Sequence, residues 1–146
     1  MADLIYKLIP QDPFLELTEQ QTAQLQQAVA ERDPQAVFVE TERVQFVDAG
    51  AEFHEIRCPF CDSEIAPMWW HKEMEQIYAR TQGFYDLTVT TPCCDQQTTL
   101  NELVYDWPQG FSSILVTTEN QAVVAPLQQA VEKISGRSWR VIKARY

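Results

Sequence analysis

The sequence predicts an α+β fold, a ferredoxin-like sandwich of two β-α-β halves with an inserted lobe between them. Three observations predict it. Two helical segments carry matching apolar stripes, and each is flanked by strand-like runs. All four cysteines fall in the middle, as Cys58-Pro59-Phe60-Cys61 and Cys93-Cys94. The 146 residues, 45% apolar and 22% charged, make a single ordinary domain over 1–146 with room for a real core.

The first half, residues 1–47, opens on a strand-like run, Leu4-Ile-Tyr-Lys-Leu-Ile9. Thr18 and Gln21 then form a capping-box pattern, and Leu25, Ala28 and Val29 make a narrow helical stripe. Asp33-Pro34 stops that helix, because proline disfavours helical geometry in the residue before it. Ala36-Val-Phe-Val39 reads as the next strand.

The second half, residues 111–146, repeats the order. Phe111 to Thr117 reads as a strand, and Val124, Leu127, Val131 and Ile134 as the apolar face of a helix. Pro126 belongs in its first turn, where a missing N–H costs nothing, and Gly136 makes a natural C-cap. Trp139-Arg-Val-Ile142 closes the unit. Two letter echoes accompany the pattern: Thr18 to Gln21 with Thr118 to Gln121, and Leu25 to Val29 with Leu127 to Val131. Two such units share one antiparallel sheet with helices on one face, which places 4–9 and 139–144 in that sheet.

The inserted lobe, residues 48–110, holds a helix after Pro67, with Trp70, Met74, Ile77 and Tyr78 on one face. Phe53 to Arg57 reads as a strand leading into the first thiol pair, and Phe84 to Thr90 as one leading into the second. Tyr105-Asp-Trp-Pro-Gln-Gly-Phe111 is a dense aromatic segment that reads as an ordered loop. Aromatics of this kind are enriched at protein interfaces, although a tryptophan in a small chain is more often core.

Thiol pairs at this spacing point to a structural Zn²⁺ site, because zinc prefers a closed tetrahedral set of thiolate or imidazole ligands. The candidate ligands are Cys58, Cys61, Cys93 and Cys94, with His71 or His54 as alternatives to Cys93. Pro59 stiffens the first turn by fixing its φ angle. The turn resembles the first knuckle of zinc ribbons, which read Cys-Pro-x-Cys-Gly, with Asp62 in place of the glycine. Thr91-Pro92-Cys93-Cys94-Asp95 departs further, since its cysteines are adjacent. The resemblance covers residues 54–96 and extends to small bacterial proteins with one such knuckle and a Cys-Cys pair. It implies a structural metal and no particular activity.

Cys58-Pro-Phe-Cys61 also resembles a glutaredoxin site, with Thr91-Pro92 similar to the threonine-proline loop that faces it. That resemblance implies a thiol–disulfide oxidoreductase using Cys58 and Cys61, with the first thiol at a helix N-terminus. Pro67 lies where such a helix would have to run, and a dithiol enzyme has no need of the second pair.

Charge narrows the partners. The net −10 divides into −5 over residues 1–47, −8 over 48–110 and +3 over 111–146. Four zinc-bound thiolates make the middle more negative still. Such a surface repels nucleic-acid phosphates and attracts a basic protein. The cations Arg137, Arg140, Lys143 and Arg145 read as edge-strand charges that prevent aggregation. No apolar run approaches the roughly 18 residues a membrane span needs. The first ten residues carry Asp3 and Lys7 without a basic leader, so a cytoplasmic location is expected. There, clustered cysteines are more often metal ligands than disulfides.

The sequence contains no nucleophile elbow, P-loop, His-Glu-x-x-His or dinucleotide fingerprint. The expectation is therefore a non-catalytic, acidic protein-binding module, for instance an immunity or inhibitor protein that masks a basic toxin or nuclease.

Overall fold

The computed structural model describes residues 4–146; Asp3, used in the leader-peptide argument, lies outside the described residues. In chain order the elements are β1 (Leu4–Pro10), α1 (Glu19–Arg32), β2 (Val37–Val47), β3 (Ile56–Arg57), β4 (Glu64–Ile65), α2 (Pro67–Thr81), β5 (Thr88–Thr90), β6 (Gln97–Thr99), β7 (Val104–Tyr105), β8 (Gly110–Thr118), α3 (Val124–Ser135) and β9 (Trp139–Arg145). The fold is α+β. Its strands form three antiparallel sheets, ordered β2-β8-β1-β9, β4-β3-β7 and β5-β6.

The four-stranded sheet draws its strands from both ends of the chain. β1 pairs along its whole length with β9, from Leu4 opposite Arg145 to Pro10 opposite Trp139. One face is covered by α1 and α3. Leu8, Ile114, Val116 and Trp139 from the sheet bury there against Leu25 and Val29 of α1 and Leu127 and Val131 of α3. α1 starts where the capping box requires: Thr18 Oγ1 accepts from Gln21 N–H (3.1 Å), and Gln21 Oε1 accepts from Thr18 N–H (3.0 Å). α3 ends at Gly136 in the left-handed conformation, φ 69°.

Of the two echoes, one is structural. Leu25, Ala28 and Val29 of α1 and Leu127, Ala130 and Val131 of α3 are the buried residues of their helices. The Thr-Glu echo is not. Thr18 caps a helix, but Thr118 ends β8 and donates to Asp33 Oδ2 (2.6 Å). α3 begins only after a 3-10 turn over Gln121–Val123, capped by Asn120.

β2 runs past the expected Val39 to Val47 because an irregularity between Glu40 and Gln45 changes its register on β8. The slip is by an odd number of residues, so it swaps which side chains face which way. Phe38 before it packs with the helices, whereas Val44 and Phe46 after it face the opposite side and join the lobe.

That opposite side carries the second core. Phe111 of β8 lies 5.4 Å from Phe46 and 5.1 Å from Phe84, ring centroid to centroid. Trp70 of α2 packs edge-on against Phe46 and Phe53 and donates from Nε1 to Tyr105 Oη (3.1 Å), which donates to the Leu100 carbonyl (2.6 Å). Polar links tie the lobe to the sheet region: Arg140 of β9 donates to Gln109 O (2.7 Å), and Asn101 Nδ2 donates to the carbonyl of Gln11, just beyond β1 (3.1 Å).

Two expected strands are shorter than predicted. Of Phe53 to Arg57 two residues remain as β3, and Phe84 to Thr90 yields β5 alone. Phe84 and Leu87, an odd distance apart, are both buried, so no strand pleat could satisfy them, and Asp86 turns the chain by accepting from Thr88 N–H. The aromatic segment lies largely in the core. Tyr105 and Phe111 are core residues at 7% and 0% exposure, and Trp107 alone of the three is half-buried, against Ile9, Val47 and Ile142.

Candidate metal centre

All four cysteines sit at the tips of two antiparallel hairpins that face each other. Cys58 and Cys61 occupy the turn joining β3 to β4, and Cys93 and Cys94 the turn joining β5 to β6. The two turns have the same backbone design. In the first, Cys58 N–H donates to Ser63 O (2.9 Å) and Asp62 N–H to Cys58 O (3.1 Å); in the second, Thr91 N–H donates to Gln96 O (2.8 Å) and Asp95 N–H to Thr91 O (3.0 Å). Asp62 and Asp95 both adopt the left-handed conformation, φ 60° and 59°. Glycine is preferred there, and aspartate is among the few side chains that tolerate it. Asp62 thus fills the glycine position of the knuckle without changing the turn.

Superposing the turns by these bonds puts Pro92 on Pro59, Cys94 on Cys61 and Thr91 on Cys58. Thr91 is the residue that sequence reasoning missed. It holds the first-cysteine position of the second turn, and its hydroxyl lies 3.3 Å from Cys94 Sγ and accepts from Gln96 N–H (3.0 Å). The displaced fourth thiol comes instead from Cys93, at the third position. The signal was legible in Cys-Pro-Phe-Cys-Asp beside Thr-Pro-Cys-Cys-Asp once the two are aligned on Pro and Asp.

The four sulfurs converge. All lie within 4.8 Å of one another, with Cys58 Sγ 3.6 Å from Cys94 Sγ and Cys61 Sγ 3.4 Å from Cys93 Sγ. All four are free cysteines. Tetrahedral ligation at the zinc–sulfur distance of about 2.3 Å places sulfurs about 3.8 Å apart, so the donor set matches a single four-coordinate ion in type, number and spacing. Neither histidine belongs to the cluster. His71 lies on the exposed surface of α2 with its ring 5.0 Å from that of Trp70, and His54 is exposed, its backbone N–H held by Asp106. The group that could hold a metal ion is therefore Cys58, Cys61, Cys93 and Cys94, with neither His71 nor His54 in it.

The thiols divide electrostatically. The side chain and N–H of Ser63, with Cys93, bring Cys61 down to about 6. Burial opposes ionisation of Cys58, but the N–H groups of Cys61 and Phe60 and the neighbouring thiols outweigh it and lower its value. Although Cys93 is exposed, desolvation of its sulfur among the other thiols, with the bonds from Cys61, Cys58 and Cys94, raises it to about 12. Cys94 is raised as well, although the Thr91 hydroxyl works in the opposite direction. Four thiolates this close cannot all ionise unaided, and a divalent cation is what would let them.

The dithiol of the redox reading lies on a hairpin, with α2 starting at Pro67 beyond β4 and not at the cysteines. Among the described residues no helix is long and apolar enough to cross a membrane. No protein-family model matches the chain, and neither does any curated protein or solved structure.

Proposed function

We propose that the chain is a non-catalytic binding module whose middle lobe is clipped by one structural Zn²⁺ on Cys58, Cys61, Cys93 and Cys94. The observation that carries this reading is the convergence of four sulfurs from two turns of equal design, which fits zinc-ribbon knuckles with Thr91 in one cysteine's place. Strand order β2-β8-β1-β9 with α1 and α3 on one face supports a ferredoxin-like frame, into which 48–110 is inserted. Reduced thiol ligands fit a cytoplasmic setting.

The acidic lobe then docks a basic partner protein, an immunity or inhibitor role against a basic toxin or nuclease being one concrete form. Its net −8 supports this, and Glu73 and Glu75 on α2 lie within it. Elemental analysis of protein purified without added metal tests the clip: one zinc per chain is expected, and four rapidly titrating thiols without zinc would refute it. Steered association predicts an on-rate that falls steeply with salt and on charge reversal at Glu73 and Glu75, with dissociation nearly unchanged. A purified basic partner that binds equally well to the reversed protein would overturn the acidic surface.

The competing reading, a thiol–disulfide oxidoreductase, is favoured by one observation: Cys61 is exposed and its thiol is held at about 6. Dithiol reductase activity in zinc-free protein, lost in Cys58→Ser, would establish it.

A further inference from the structure

The thiol cluster has an inside and an outside. Cys58 is 2% exposed and Cys94 half-buried, whereas Cys61 and Cys93 both stand at the surface. The outer sulfurs lie 3.4 Å apart, contributed by opposite hairpins, against 3.6 Å for Cys58 and Cys94. We propose that Cys61 and Cys93 form an oxidation site, where hydrogen peroxide converts the outer thiols to a cross-hairpin disulfide and so expels the metal. This rests on the zinc reading for the metal alone; the sulfur chemistry stands on the geometry.

The step balances with the peroxide as oxidant. The sulfur of Cys61 attacks one peroxide oxygen, the O–O bond breaks, and a sulfenic acid forms as hydroxide leaves. The sulfur of Cys93 then attacks that sulfur, the S–O bond breaks, and the S–S bond forms as a second hydroxide leaves. Two electrons pass from the sulfurs to the peroxide. Both hydroxides become water, taking the thiol protons or, from metal-bound thiolates, two protons of solvent. Two ligands remain for the metal, too few for a closed structural site.

Competing pairings are disfavoured by the same geometry. Cys58 is covered, so peroxide reaches neither partner of the Cys58–Cys94 pair as readily, and a Cys93–Cys94 bond would close a strained small ring. The disulfide would join the same two turns that the metal joins, 32 residues apart in the chain. Oxidation therefore exchanges one clip for another.

Limiting hydrogen peroxide added to the purified protein tests this, with non-reducing peptide mass mapping and a chromophoric zinc chelator read together. The expected result is a linked Cys61–Cys93 peptide appearing in step with released zinc, both reversed by dithiothreitol and added zinc. A first-formed Cys58–Cys61, Cys58–Cys94 or Cys93–Cys94 linkage, or over-oxidation without any linkage, would overturn it. Cys93→Ser should abolish the linked peptide, and if that variant does not fold the wild-type map still decides. Protein that holds no zinc at the outset defeats the metal reading, while its peptide map still decides the oxidation site.

Discussion

In the helix-covered part of the molecule the strands run 7 to 11 residues, whereas those of the cysteine lobe run 2 or 3. Long strands satisfy their own backbone groups and present periodic apolar faces to α1 and α3. The lobe cannot do this. It closes instead around side chains, an aromatic cluster centred on Trp70, Tyr105 and Phe111 and a thiol cluster at its hairpin tips. One region is held by pattern and the other by a few specific residues, so substitutions should act differently in the two.

The largest expected effect separates them. On the proposed metal clip, Cys58→Ser should cost at least about 3 kcal/mol, because structural ligation contributes folding energy outright and Cys58 is the buried thiol of the cluster. Hydrogen exchange should show protection lost over β3 to β7 while the β1–β9 ladder keeps its own. Uniform loss over both regions would show that the lobe is not a separate layer of stability.

Phe111→Ala should cost about 3–5 kcal/mol as a large buried aromatic truncation. This residue straddles the two regions, since Phe111 belongs to β8 of the long sheet yet packs into the lobe core. Here chemical denaturation should remain a single transition at a lower midpoint. A second transition, with the sheet unaffected, would place Phe111 energetically in the lobe alone.

Tyr105→Phe is a finer probe of the lobe. It leaves the Leu100 carbonyl and Trp70 Nε1 without their buried partner, at about 1–3 kcal/mol. Burial raises the Tyr105 hydroxyl well above its ordinary value, so it remains a donor throughout the working pH range. Trp70 fluorescence should report the change; an unaltered spectrum and midpoint would show that the hydroxyl chain contributes nothing.

The two regions also differ in how far the sequence disclosed them. The capping box at Thr18, the stripes of α1 and α3 and the stop at Gly136 are local, periodic signals, and each lies where it was read. β3 to β7 are too short to display a period, and their partners are set by tertiary contacts of Phe46, Phe84 and Phe111. The change of facing along β2 was equally hidden, because Val37 to Val47 gives no sign of the register slip between Glu40 and Gln45. At the site the clustering of the four cysteines was legible from their spacing. Thr91 was legible only through aligning Thr-Pro-Cys-Cys-Asp on Cys-Pro-Phe-Cys-Asp, because a hydroxyl in a cysteine's place otherwise looks like an ordinary strand end.

The smallest expected effect probes the polar join between the regions. Lys7 Nζ donates to Asp48 Oδ1 (3.0 Å) and to Tyr146 Oη (2.6 Å), and Tyr146 Oη donates to Asp48 Oδ2 (2.8 Å). Burial opposes ionisation of Asp48, but the Tyr146 hydroxyl and the Lys7 ammonium outweigh it and hold the carboxyl below its ordinary value. A carboxyl lowered in the folded state stabilises the fold above its unfolded pKa of about 3.9, and that contribution is lost as pH falls through the lower folded value. Asp48 is 41% exposed at its side chain, so solvent screening keeps the term below about 1 kcal/mol. Asp48→Asn should therefore lower stability slightly at pH 7 and flatten the acid limb of the stability–pH curve between about pH 5 and 2. A variant whose acid limb matches the parent's would show that Lys7 and Tyr146 hold Asp48 by geometry without stabilising its charge.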